Sequence, residues 1–306
     1  MSSTEFLNYE GRRFSKSKGI GVFGSDAKES GICADAWRFY IYYNRPESQD
    51  YQFMWKDFQE KYNKELIGNL GNLVNRTLLF INRNYDGKIP AGKKDEALWE
   101  SVLEKEKKAT ELLEWAELKE ALHTILEISD LCNKAFQDAE PWKAIKENKE
   151  KADNVLYNLV YVIKDLMILL QPYLPQYTQK VASFLGKTVY SATYGNPGND
   201  SALKWDDLGR MEGLDCVTET SVYFTPLDNK TVEEFRKKFD GKQAEKTSKK
   251  TSSVLPFEQQ ASFFNKNIEL TAAKIVEITE NPDSDKLYIE KLDDGSGKLR
   301  TIQSGL

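Results

Sequence analysis

Through most of the middle of this chain, apolar residues recur at steps of three and four, which predicts helices joined by short links. Phe58, Tyr62, Leu66, Leu70, Leu73 and Val74 mark the first, running from Trp55 to Tyr85 and closed by Asp86-Gly87. Gly68 and Gly71 interrupt it at a cost of roughly 1 kcal/mol each against alanine, so close approach of another helix or a ligand is the expected compensation. Beside them Asn72 and Arg76, four apart, share one face. Residues 94–140 predict two more helices, with Leu118, Leu122, Ile125, Leu126, Leu131 and Phe136 on one side and a dense Glu/Lys run, read as a solvated face, on the other. Pro141 breaks that pattern and leaves Trp142 at a junction where its ring can be exposed. Residues 151–170 form the most apolar helix, Pro172 and Pro175 bend the chain, and 176–185 resume the period. Four or five such helices make a bundle. Residues 186–227 read as irregular, and 230–239 as a last short amphipathic helix.

The two ends change period. Glu5 to Glu10 alternates as a short strand, and Gly11 turns the chain into RRFSKSKGIGVFG, Arg12 to Gly24. With nothing before it in this sequence, that strand is expected to lack the sheet it belongs to. A helix follows from Ala34 until Arg45-Pro46 stops it, and its Trp37, Tyr40 and Tyr43 are simplest as core. Gly241 to Ser253, with Lys242, Lys246, Lys249 and Lys250 among Ser and Thr, reads as a disordered linker with weak, salt-sensitive affinity for polyanions. Residues 268–278 and 286–292 read as strands around Asn281-Pro282-Asp283-Ser284-Asp285. Asp294-Gly295 signals a hairpin, and Thr301 to Gln303 begins another strand. This final module is too short to close a β-sheet on itself.

Composition narrows the chemistry. At 306 residues and 40% hydrophobic, the chain can fill two or three domain cores. A net charge of −5 argues against a uniformly basic nucleic-acid coat but leaves room for local basic patches. Three dispersed cysteines, Cys33, Cys132 and Cys216, indicate neither a disulfide framework nor a thiolate metal site, and fit a reducing, cytoplasmic compartment. The one histidine, His123, sits among Leu122, Ile125 and Leu126 and reads as structural, which removes the usual triads and His-based metal sites. No metal site and no membrane span is expected; Asn158, Lys164 and Asp165 interrupt the most apolar run. Ser15, Lys16, Ser17 and Lys18, followed by Gly19, Gly21 and Gly24, suit a mobile loop that closes on phosphate. The same glycines match G-x-G-x-x-G, but no apolar strand precedes them and no β-α-β unit surrounds them.

Arg13-Phe14-Ser15-Lys16-Ser17 resembles the K-M-S-K-S signature of class I aminoacyl-tRNA synthetases, with Arg13 for the first Lys and Phe14 for Met. The longer run EFLNYEGRRFSKSKGIGVFG, then ADAWRFYIYYNRPE, resembles the methionyl-tRNA synthetase family in particular. In that family an Asn and an Arg four apart on the first bundle helix, and a Pro-Trp at a later junction, recognise the CAU anticodon; Asn72, Arg76, Pro141 and Trp142 match them. From Ile268 onward, AAKIVEITENPDSDKLYIEKLDDG and the closing QSGL resemble the appended oligonucleotide-binding (OB) β-barrel. Read without the resemblance, Asn72 and Arg76 are equally an ordinary polar stripe, Trp142 a junction core residue, and Lys16 a residue of a solvated basic loop.

The resemblance implies a mainly α fold: a small α+β stem-contact module with the K-M-S-K-S loop (1–50), an anticodon-binding helical bundle (51–240), a Lys/Ser/Thr-rich linker (241–267) and an incomplete OB-type β-barrel (268–306). It implies part of a methionine-tRNA ligase that uses ATP with Mg2+ and methionine as substrates and tRNA-Met as partner. Lys16 stands as the ATP-binding and catalytic residue with Ser15, Ser17 and Arg13 beside it. The nucleotide-binding sheet with its H-I-G-H motif is not in this sequence, so the chain alone is expected to be inactive. An appended barrel also implies a multi-synthetase complex or a homodimer. The competing reading is a non-catalytic tRNA-binding or scaffold protein of a synthetase complex.

Overall fold

In a computed structural model, residues 4–190, 202–218, 220–241, 272–282, 284 and 287–304 are described. Strand β1 (Leu7–Tyr9) pairs antiparallel with β2 (Arg12–Arg13) and parallel with β3 (Tyr51–Phe53), in the order β2-β1-β3. The opening strand therefore has a local sheet, contrary to the expectation that it lacks one. Its partner β3 leaves no trace in the sequence pattern, because Tyr51-Gln52-Phe53 is too short to show a period. Helices α1 (Gly24–Glu29) and α2 (Ala34–Tyr43) follow β2. Tyr40 is buried, Trp37 packs against the same core, and His123 Nε2 donates to the Tyr43 carbonyl, 3.0 Å away.

Helix α3 (Trp55–Lys61) continues through a π-helical segment, Tyr62–Gly71, into α4 (Asn72–Asn84). The glycines are compensated inside this helix and not by a neighbour: a Cβ on Gly71 would stand 2.7 Å from the carbonyl oxygen of Leu66, five residues back. Wide π turns are a feature of strained or functional helices. Asp86 and Gly87, both at positive φ, end α4, and Gly87 lies so close to the Val217 carbonyl that a Cβ would meet it at 2.6 Å.

The bundle is completed by α5 (Glu96–Glu114), α6 (Leu118–Ala139), α7 (Pro141–Glu147), α8 (Lys149–Leu170) and α9 (Pro175–Phe184). Asp95 caps α5 by accepting the Leu98 N–H, and Asn148 caps α8 by accepting that of Lys151. α8 runs through the centre, and its residues from Asn158 to Leu170 are all buried. Each fully buried Leu, Ile, Val or Met there is worth about 1.5–3 kcal/mol of transfer free energy. Short strands β4 (Thr188–Val189) and β5 (Ala202–Leu203) pair in parallel, and α10 (Asn229–Lys238) returns to pack on α3. Among the described residues no helix is long and apolar enough to cross a membrane.

The chain divides into two compact units, Met1–Thr247 and Ser248–Leu306. The second contains an antiparallel meander, β6 (Lys274–Glu280), β7 (Tyr288–Asp293) and β8 (Leu299–Ser304), in the order β6-β7-β8. At the predicted hairpin, the Asp293 carboxylate accepts the Gly295 N–H at 2.9 Å. The linker reading falls, apart from Gly241, outside the described residues, as do the start of the predicted 268–278 strand and Asp283 and Asp285 of the turn.

Candidate functional site

The Lys/Ser turn is a closed hairpin. Ser15 and Ile20 exchange backbone hydrogen bonds, Ser15 N–H to Ile20 O at 3.0 Å and Ile20 N–H to Ser15 O at 2.9 Å. Gly19 N–H donates to the Lys16 carbonyl at 3.2 Å, which closes the turn. Glycine is required at Gly21: its φ is +109°, and a Cβ would strike the Phe14 ring at 2.2 Å. Phe14 itself packs between Tyr9 and Phe23, with ring centroids 5.5 and 6.0 Å away. The Met-like position of the motif thus anchors the turn, while Lys16, Ser17 and Lys18 stand exposed at its tip and Ser15 is half-buried. The Ser15 and Ser17 hydroxyls lie 3.4 Å apart. Arg13, on β2, lies over the Phe6 ring at 5.7 Å.

A second site forms where α4, α6 and α7 meet. Arg76 lies with its guanidinium carbon 4.4 Å from the Phe136 ring centroid and 5.7 Å from that of Trp142, and it donates to Gln137 Oε1 at 3.2 Å. Phe136 and Trp142 are 6.0 Å apart. Pro141, buried at the start of α7, follows Glu140, whose left-handed φ of 45° makes the sharp junction that turns Trp142 outward to 38% exposure. Arg76, Phe136 and Trp142 line an open groove of about 370 Å³ together with Leu79, Phe80, Arg83 and Asn84. One turn before Arg76, Asn72 faces inward enough for its amide to donate to Asn133 Oδ1 at 3.0 Å. Asn133 in turn donates to the carbonyl of Asn69 in the π segment at 3.0 Å.

Of the sequence-predicted residues, Arg76, Pro141 and Trp142 are brought together, with Asn72 beside them, and Arg13, Ser15, Lys16 and Ser17 form a separate group. Sequence reading missed Phe136, which looks like any other apolar position of α6, and Asn133 and Gln137 on the same helix. Phe136 and Gln137 follow Asn133 by three and four residues, and that spacing was the available signal.

Similarity to known proteins spans both groups, with Asn72 and Arg76 in the first matched range and Pro141 and Trp142 in the second. Residues 1–78 match the family model described as tRNA synthetases class I (M), and residues 87–244 match that of the anticodon binding domain of methionyl tRNA ligase. The whole chain aligns with the methionine–tRNA ligase of Treponema denticola at 48% identity, covering 43% of it, and with that of Treponema pallidum at 39%, covering 44%. The corresponding Borreliella burgdorferi protein is 39% identical over the full chain, which covers 40% of its length. The chain thus spans about two fifths of these curated relatives. Among solved structures, Mycobacterium tuberculosis methionyl-tRNA synthetase in its free state superposes with a TM-score of 0.61 at 20% identity, covering 73% of this chain and 42% of that one. A second structure of that protein, bound by methionyl-adenylate, gives the same TM-score over 71% and 43%. At that identity the superposition speaks for the fold. With more than half of its length matched by the anticodon-binding model, the chain belongs to the methionyl-tRNA ligase family.

Proposed function

We propose that the chain supplies the anticodon-reading bundle and the ATP-facing loop of a methionine-tRNA ligase, acting in the cytoplasm on tRNA-Met with methionine and ATP–Mg2+ as substrates. The observation that carries this is the Arg76–Phe136–Trp142 stack at an open groove. A single-stranded anticodon splays its bases, and an exposed indole with a guanidinium beside it offers a stacking platform and hydrogen-bond donors. Trp142 stacks one base; Arg76 bonds its edge. Asn72, with an amide hydrogen already given to Asn133, contributes its carbonyl oxygen as an acceptor. Pro141 fixes the angle at which the indole emerges.

At the loop, the Lys16 ammonium stabilises the negative charge that builds on pyrophosphate as it leaves ATP, an interaction stronger in the transition state than with bound ATP. Ser15 and Ser17 offer hydroxyl contacts to phosphate oxygens, and Arg13 replaces a point charge by a fork. The domain organisation that goes with these roles is loop and stem-contact module over 1–50, bundle over 51–240, linker over 241–267 and OB-type module over 268–306. One experiment separates the two sites. In the full-length ligase, Lys16→Ala should slow ATP–pyrophosphate exchange and leave tRNA affinity unchanged. Trp142→Ala should leave exchange intact and weaken tRNA-Met binding by about 1–3 kcal/mol. Loss of both activities in either variant would overturn the assignment of separate roles.

A further inference from the structure

The base of the Lys/Ser turn is held by residues more than two hundred positions away. Ile20 forms an antiparallel bridge with Asp240, just beyond α10, and the Gly21 N–H donates to the Phe239 carbonyl at 3.3 Å. The Arg12 guanidinium pairs with the Asp240 carboxylate. One turn earlier on α10, Arg236 Nη2 lies 3.3 Å from Glu10 Oε2, while Glu10 Oε1 accepts the Trp55 N–H at 2.9 Å. Phe239 is fully buried and stacks on Trp55, with centroids 5.9 Å apart and planes at 18°. Gly241 closes the contact at φ +94°, where a Cβ would stand 3.3 Å from Ile20 Cγ1.

We propose that Phe239–Gly241 is a latch that positions the Lys/Ser turn, with Asp240 as its principal positioning residue. Phe239 anchors the latch in the core. The backbone bridge then adds a further strand-like partner to Ile20 on the side opposite Ser15, so the turn is braced on both flanks and only its tip is left free. Bracing the base in advance removes part of the entropy that would be lost when Lys16 is set against a phosphate. The Arg12 and Asp240 side chains are 43% and 61% exposed, so their pairing adds little to global stability. Its effect is local to the turn. What Lys16 does once placed rests on the ligase reading; that the latch fixes the turn does not.

The two are tested apart. In the full chain, Asp240→Asn should speed amide hydrogen exchange at Ile20 and Gly21 by about two- to fivefold, the range an exposed ion pair spans, without moving the thermal midpoint. The swap Arg12→Asp with Asp240→Arg should restore the exchange rates. Gly241→Val, which strains the backbone and presses on Ile20, should loosen the turn further. Unchanged exchange in both Asp240→Asn and Gly241→Val would overturn the latch. In the full-length ligase, Asp240→Asn should lower kcat of ATP–pyrophosphate exchange by a similar factor with KM for methionine unchanged, and the charge swap should restore it. An unaltered kcat in a loosened turn would overturn the positioning role. An unaltered rate in Lys16→Ala would instead sink the ligase reading of the loop and leave the latch to be judged by hydrogen exchange.

Discussion

Arg76 and Glu106 show how differently two charged residues of one bundle are treated. Arg76 sits at a groove over two aromatic rings, where cation–π attraction orients its guanidinium without removing it from solvent. Glu106 is buried against Asp165, and burial first, then the neighbouring negative charge, pushes its carboxyl far above the usual range. Asp165 is raised by burial too, though Lys164, with Nζ 2.8 Å from Oδ1, opposes this. Lys164 meanwhile donates to the carbonyls of Asp207 and Arg210 at 2.5 and 2.7 Å and so ties α8 to the segment after β5. The folded protein holds a Glu106 proton that the unfolded chain releases above about pH 4.3. The stability that Glu106 contributes is therefore fully present below the unfolded value and declines as pH rises towards the raised one, by at most about 1.4 kcal/mol per pH unit. Urea unfolding of wild type between pH 5 and pH 8 should show this fall, and Glu106→Gln should flatten it. A slope identical in both would mean that the carboxyl is ionised when folded. None of this is legible in sequence, where Glu106 is one more acidic residue in a Glu/Lys run.

The run from Trp55 to Tyr85 is one helix to sequence reading, and Trp55 to Asn84 is one continuous helix in the structure, but with a third of it wound wide. The period survives because Tyr62, Leu66 and Leu70 remain buried across the π segment. Its hydrogen-bond spacing leaves no mark on a hydrophobic pattern; the two glycines were the visible trace. Gly71→Ala gains about 1 kcal/mol of helix propensity but drives a methyl to 2.7 Å from the Leu66 carbonyl. We expect a net loss of about 1–3 kcal/mol on the scale of overpacked sites, read by thermal or urea unfolding. Gly68→Ala, with its nearest neighbour, the Asn63 carbonyl, at 3.3 Å, should be much milder. A stabilised Gly71→Ala would show that the wide turns relax to α-helix at no cost. Strand β3 escaped because three residues carry no period, and the α10 contact with the loop because nothing local links residues 12 and 240.

On the scale of the whole molecule, long amphipathic helices and their proline breaks were legible, and so was the likeness of loop and junction to one family. Contacts between distant segments were not: the Arg76 platform needs three helices, and the latch needs both ends of the first unit. The division into units also predicts behaviour. A chain ending at Thr247 should keep the thermal midpoint of the first unit, within about a degree or two, when followed by circular dichroism; a large drop would show that the second unit supports the first. The π segment has a different consequence for the molecule, one of angular phase. Trp55, stacked on Phe239 at the latch, and Arg76 at the groove are carried by one rod and lie roughly 30 Å apart along it. Winding ten residues of that rod wide retards everything beyond it around the axis, and each residue added or removed there would rotate Asn72 and Arg76 by about 100° relative to Trp55. The segment therefore works as the vernier of the rod, and a length change within Tyr62–Gly71 would turn Asn72 and Arg76 out of register with Phe136 and Trp142.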